Sequence, residues 1–168
     1  MNTAPAWALR GPRRETATQV TSNDEPRVLI AEVNPYGNLE AMVEDDGRTV
    51  YLYLQHVTDD GWGLRPVWVA NHLPAPEGRD MDAMEAGMAP LMPREGTHFP
   101  QGGPALDEDR LSLVWFEEGD GVALLEGDRP VAIVAPWSGE GGFPGYSAAA
   151  VGTQELAWEL GEALGTLG

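Results

Sequence analysis

The sequence predicts an α+β fold that is mostly β, an antiparallel sheet of about six or seven strands with one helix packed on it at the C-terminal end. Three observations carry that expectation. Short runs of alternating apolar and polar residues recur along the chain, as half-buried strands require. Turn chemistry separates them, with Asn-Pro-Tyr-Gly at 34–37, Asp-Gly at 46–47 and Gly-Asp at 127–128. A stretch with helical spacing closes the chain, where Leu156, Leu160, Ala163, Leu164 and Leu167 share one face and Glu155, Glu159 and Glu162 another.

Taken in order, residues 1–25 read as a disordered tail, rich in Thr, Ala, Pro and Arg and without apolar periodicity. Residues 26–168 read as a single β-rich globular domain. Val28–Val33 is a short apolar run and a first strand. Leu39, Ala41 and Val43 then alternate with Glu40, Met42 and Glu44. The next strand has the clearest alternation, with Val50, Leu52 and Leu54 on one face and Tyr51, Tyr53 and Gln55 on the other. Leu64–Ala70 is a further strand that carries Trp68.

Six prolines between Asn71 and Arg110 then forbid long regular elements. Asp80 is placed to cap a short helix over 81–87. A segment of this length with so little regular structure is usually functional or mobile. Strands return at Leu111–Phe116, Val122–Leu125 and Val131–Ala135. The last is entirely apolar and is expected at the centre of a sheet. Thr153 is placed to cap the final helix.

The run Arg65-Pro66-Val67-Trp68-Val69-Ala70 is echoed by Arg129-Pro130-Val131-Ala132-Ile133-Val134, and an acidic turn precedes each. The echo is compatible with two related three-strand meanders. Meanders with acidic turns also resemble one another without common origin.

Charge limits the function classes. Net charge is −17, from 27 acidic and 10 basic residues. The tail is neutral, because Arg10, Arg13 and Arg14 balance Glu15, Asp24 and Glu25, so the excess lies beyond residue 25. Every basic residue other than the three histidines is an arginine. A field of this sign repels nucleic acid and anionic lipid and attracts basic partners. The absence of cysteine excludes disulfides, thiolate metal sites and a Cys nucleophile. No apolar run approaches the ~18 residues of a membrane span, and the N-terminus has no secretory pattern. These features point to a cytoplasmic protein with neither a membrane nor a nucleic-acid partner.

The motifs for covalent and phosphate chemistry fail on inspection. Gly145-Tyr146-Ser147-Ala148-Ala149 has the small residues of a nucleophile elbow, but it follows a long loop and no His comes after it. Ser147 reads instead as the cap of an Ala-rich turn. The glycines at 139–145 miss the dinucleotide-binding spacing at Pro144, and a Walker loop needs a lysine that the chain lacks. His56, His72 and His98 show no i, i+3 or i, i+4 pairing, and the carboxylate clusters lack the alternation of a calcium loop. No cofactor and no metal is expected.

Two segments remain as candidates for binding. The loop 136–146 carries Trp137, Glu140, Phe143 and Tyr146 among glycines that let a partner's backbone approach. Its aromatics could instead fold back as a lid on the sheet. The acidic turn with Glu117, Glu118 and Asp120 would steer a basic partner. Small acidic inhibitors, bacterial immunity proteins among them, share this general composition.

The expected function is therefore a non-enzymatic acidic binding protein, of the inhibitor or immunity type, that neutralises a basic protein partner. One alternative is an enzyme with His98 or His72 and a carboxylate, between the Pro-rich segment and the aromatic loop. Another is a structural subunit that assembles through the apolar face of the C-terminal helix.

Overall fold

The chain's computed structural model describes residues 26–57, 65–103, 105–116, 119, 121–134 and 145–151. Strands β1 (Arg27–Val33), β2 (Leu39–Asp45), β3 (Thr49–His56) and β4 (Arg65–Asn71) form one sheet. Strands β5 (Leu111–Phe116), β6 (Gly121–Glu126), β7 (Arg129–Val134) and β8 (Gly145–Ser147) form a second. Each sheet is an antiparallel meander whose strands lie side by side in chain order.

This corrects the expected count of six or seven strands in one sheet. Each half holds a four-strand meander, not three. The strand missed was β8, whose Gly-Tyr-Ser is too short to show alternation. Alternation also marks which face of a strand is buried, not which sheet it joins. The Arg-Pro echo aligns β4, fourth in its sheet, with β7, third in the other, so the echoed segments are offset by one strand. The expected C-terminal helix and the tail 1–25 lie outside the described residues.

The two sheets share one core. Leu39, Ala41 and Val43 of β2 and Val50, Leu52 and Leu54 of β3 face Leu113, Val122, Leu124 and Val134 of the second sheet. Leu52, Leu54, Leu124 and Ile133 are the largest fully buried side chains. Side chains close the two flanks. Edge strand β4 lies against β7 and β8, where the Ser147 hydroxyl donates to the Val69 carbonyl at 2.8 Å. Edge strand β1 lies against β5, where the Trp115 indole N–H donates to Glu32 at 3.1 Å. Strand β7 is central, between β6 and β8, as its apolar sequence predicts.

The tyrosine face of β3 is covered too. Tyr51, Tyr53 and Trp68 are 5–6% exposed, because the Pro-rich segment runs over them as a strap. The strap is irregular but tied down by polar side chains. Asn71, at the end of β4, donates from Nδ2 to the Met92 carbonyl at 2.9 Å and accepts the Met92 N–H at 3.0 Å. One side chain thus does for Met92 what a neighbouring strand would do.

Asp80 caps the short helix α1 (Met81–Glu85) through the Ala83 N–H, also accepts the Leu91 N–H, and pairs with Arg48 at 2.8 Å. Gly87, at φ +71°, ends this helix two residues short of the predicted boundary. Farther along, Thr97 bridges Ala150 in antiparallel fashion, flanked by His98 N–H to Ala149 at 2.8 Å and Val151 N–H to Gly96 at 2.8 Å. The strap therefore links the outer face of the first sheet to the end of the second. Among the described residues, no helix is long and apolar enough to cross a membrane.

Candidate interaction surface at the loop end

Strand direction decides which connections meet. Strand β1 runs toward Val33 and β2 returns from Leu39, with the Asn34 N–H bonded to the Leu39 carbonyl at 2.8 Å. Strand β3 ends at the same side, where the Val57 N–H reaches the Asn38 carbonyl at 3.0 Å, and β4 departs from there. In the second sheet, Phe116 pairs with Gly121, Val122 with Val134, and Val134 with Gly145. The turn after β5 and the loop after β7 are therefore tethered at one end of that sheet.

Two contacts put this end beside the corresponding end of the first sheet. The Asn34 amide donates to the Gly119 carbonyl at 3.0 Å. Gly145 lies against Val67, so closely that a Cβ there would stand 2.7 Å from the valine's Cγ2.

All four connections thus leave from one end of the sandwich. Their sequences contain six carboxylates, Asp59, Asp60, Glu117, Glu118, Asp120 and Glu140, and no arginine. They also contain Tyr36, Trp62, Trp137 and Phe143. The opposite end has a different charge pattern. There, arginines pair with acids, Arg48 with Asp80 and Arg129 with Glu126, both at 2.8 Å. The amide N–H of Asp107 and the Arg129 guanidinium hold the Glu126 carboxyl below the usual glutamate range.

Asn34 organises the loop end. It is buried, and its Oδ1 accepts the N–H groups of Asn38 and Leu39 at 3.0 and 3.2 Å. Its Nδ2 donates to Asn38 Oδ1 at 2.7 Å as well as to Gly119. This network fixes the turn that presents Tyr36, which is 67% exposed with its ring against Gly119. Gly119 has φ +88°, and a Cβ on it would stand 2.9 Å from the Tyr36 ring. Only glycine suits both the conformation and the contact.

Of the residues singled out in the sequence, Tyr146 is described. It pairs with Ile133 across β7–β8 and is half-buried against the cluster of Phe116, Ala123 and Ile133. Trp137, Glu140, Phe143, Glu117, Glu118 and Asp120 lie outside the described residues. The strand ends that carry their segments are brought together. Tyr36 and Asn34 were not singled out. Their only signal was an Asn-Pro-Tyr-Gly turn, which reads as backbone chemistry and conceals the side-chain roles. Ser147 does cap its turn, accepting the Ala149 N–H at 3.3 Å, but from within a strand.

His56 closes β3 at the loop end, paired with Leu39, and the other two histidines are placed elsewhere. His72 Nε2 lies 2.9 Å from Asp45 Oδ2, so one histidine and one carboxylate do meet. His72 sits just past the end of β4 and Asp45 closes β2, away from the anchors of the aromatic loop. Asp45 also accepts the Gly47 N–H at 2.8 Å, and thereby shapes the β2–β3 turn. The His98 side chain is exposed on the strap. Comparison with protein-family models, with curated proteins and with solved structures finds no match for this chain.

Proposed function

We propose that this chain is a non-enzymatic binding protein of the inhibitor or immunity type, which takes a basic region of a protein partner at its loop end. The observation that carries this reading is the composition of those four connections: six carboxylates, four aromatics and no arginine, tethered to one side of a rigid sandwich where the strand ends add Arg65. An excess of carboxylates over arginine raises the encounter rate with a basic surface, and aromatics supply the apolar contact that holds the complex. The rigid core limits the ordering cost of binding.

The test is capture of partners from a lysate of the source organism at low and high salt, followed by kinetics on the captured protein. Exchanging Glu117 and Glu118 for arginine should slow association about tenfold at low salt and flatten its salt dependence. Unchanged association of that double variant at low salt would refute steering by this end.

A further inference from the structure

We propose that the cleft between the strap and the outer face of the first sheet binds a small amphipathic monocarboxylate. The cleft has a volume of ≈ 250 Å³. Its walls are apolar, with Met84, Leu91 and Met92 alongside the rigid rings of Pro90 and Pro93. Methionine thioethers adapt to the shape of an aliphatic guest. Tyr51 forms part of the lining, and its hydroxyl donates a hydrogen bond to the Pro90 carbonyl at 2.7 Å. Burial, with Asp46 and Asp80 nearby, raises its pKa, so the phenol is uncharged at neutral pH.

Two charged residues complete the lining, and they differ in one respect. Asp80 is fully engaged by the Ala83 N–H, the Leu91 N–H and Arg48. Burial works to raise its pKa, but those bonds together outweigh it and hold the carboxyl below the usual aspartate range. It therefore offers little to a cationic guest. Asp46, close enough to act on Tyr51, is occupied by the N–H groups of Arg48 and Thr49 at 2.8 and 2.9 Å. Arg79, by contrast, is exposed and makes no ion pair among the described residues, whereas Arg27, Arg48 and Arg129 each do.

An apolar cleft with one uncommitted guanidinium on its lining complements a carboxylate head on an aliphatic tail. A dry cavity of about 150 Å³ holds benzene, which scales to roughly ten non-hydrogen atoms here. An eight-carbon carboxylate has that size. This site is separate from the loop end and does not depend on the function proposed for it.

The experiment is a titration of the full chain with octanoate, octylammonium and 1-octanol, followed by NMR of the methionine methyl groups. Octanoate should move the Met84 and Met92 methyls saturably, with a Kd on the order of 1 mM or tighter. Octylammonium should bind about tenfold more weakly, although the chain as a whole is acidic. Arg79→Gln should weaken octanoate about tenfold and leave 1-octanol unchanged. Because Arg79 is exposed, this variant keeps the fold. Equal or tighter binding of octylammonium, octanoate binding insensitive to Arg79→Gln, or no saturable shift at Met84 and Met92 would each overturn the proposal.

Discussion

Replacing Asn71 with alanine tests whether one buried amide holds the strap in place. Asn71 is 1% exposed. Its Oδ1 accepts from Trp68 Nε1 at 2.8 Å, the Met92 N–H at 3.0 Å and the Thr49 hydroxyl at 3.2 Å. Truncation does not orphan the indole, because Trp68 Nε1 also reaches Thr49 Oγ1 at 3.0 Å. Thr49 likewise keeps the Ala70 carbonyl at 3.0 Å. Met92 loses the asparagine partner of both its N–H and its C=O.

An unsatisfied buried polar group costs about 1–3 kcal/mol, and Met92 is only half-buried, so the expected loss is about 2–4 kcal/mol. Urea unfolding followed by tryptophan fluorescence measures it. Trypsin supplies a local readout, since the strap carries Arg79 and Arg94 and should be cut there first in the variant. Leu52→Ala is the comparator. It should lose about 2–5 kcal/mol from the core without selective opening of the strap. A loss below about 1 kcal/mol for Asn71→Ala, with unchanged cutting at Arg79 and Arg94, would refute the reasoning.

Two further outcomes are expected. Gly119→Ala should cost about 1–3 kcal/mol, because it combines an unfavourable positive φ with a contact on the Tyr36 ring. The Tyr36 ring resonances should shift, and a variant as stable as the parent with unmoved resonances would dismiss the contact. Asp80 has a folded-state pKa below its ordinary 3.8, so its contribution to stability is complete above that pH and disappears as pH falls through the lower folded value. Asp80→Asn should therefore be less stable than the parent at neutral pH, and the gap between them should narrow below pH 3.8. A constant gap in acid melts would show that Asp80 is not the group responsible.

Much of the strand pattern was legible because it follows from local physics. Val50, Leu52 and Leu54 face the core because side chains alternate along a strand and apolar surface leaves water. The helix capped by Asp80 was legible from the cap itself. The cover over Tyr51 and Tyr53 was not, since alternation cannot tell a solvent face from one covered by a distant segment. Nor was the clasp on Met92, because an asparagine at a strand end reads as a turn residue and its partner lies 21 positions away. The loop end was half legible. Its carboxylates and aromatics stand out in the sequence, but the convergence of the strand ends that carry them depends on the registers of Phe116, Val122 and Val134, and on the bond from Asn34 to Gly119, 85 residues on.

By itself the sequence determined the β-rich class, most strand positions, the sign of the field and the absence of thiol chemistry, because composition and short-range periodicity carry these. Tertiary structure decided the division into two sheets, the clamping of the Pro-rich strap, the gathering at one end of the strand ends that carry the acidic and aromatic connections, and the cleft with Arg79 on its lining. Those depend on which distant segments pack together, and that is set by the summed burial of whole faces and by hydrogen bonds between residues far apart in the chain.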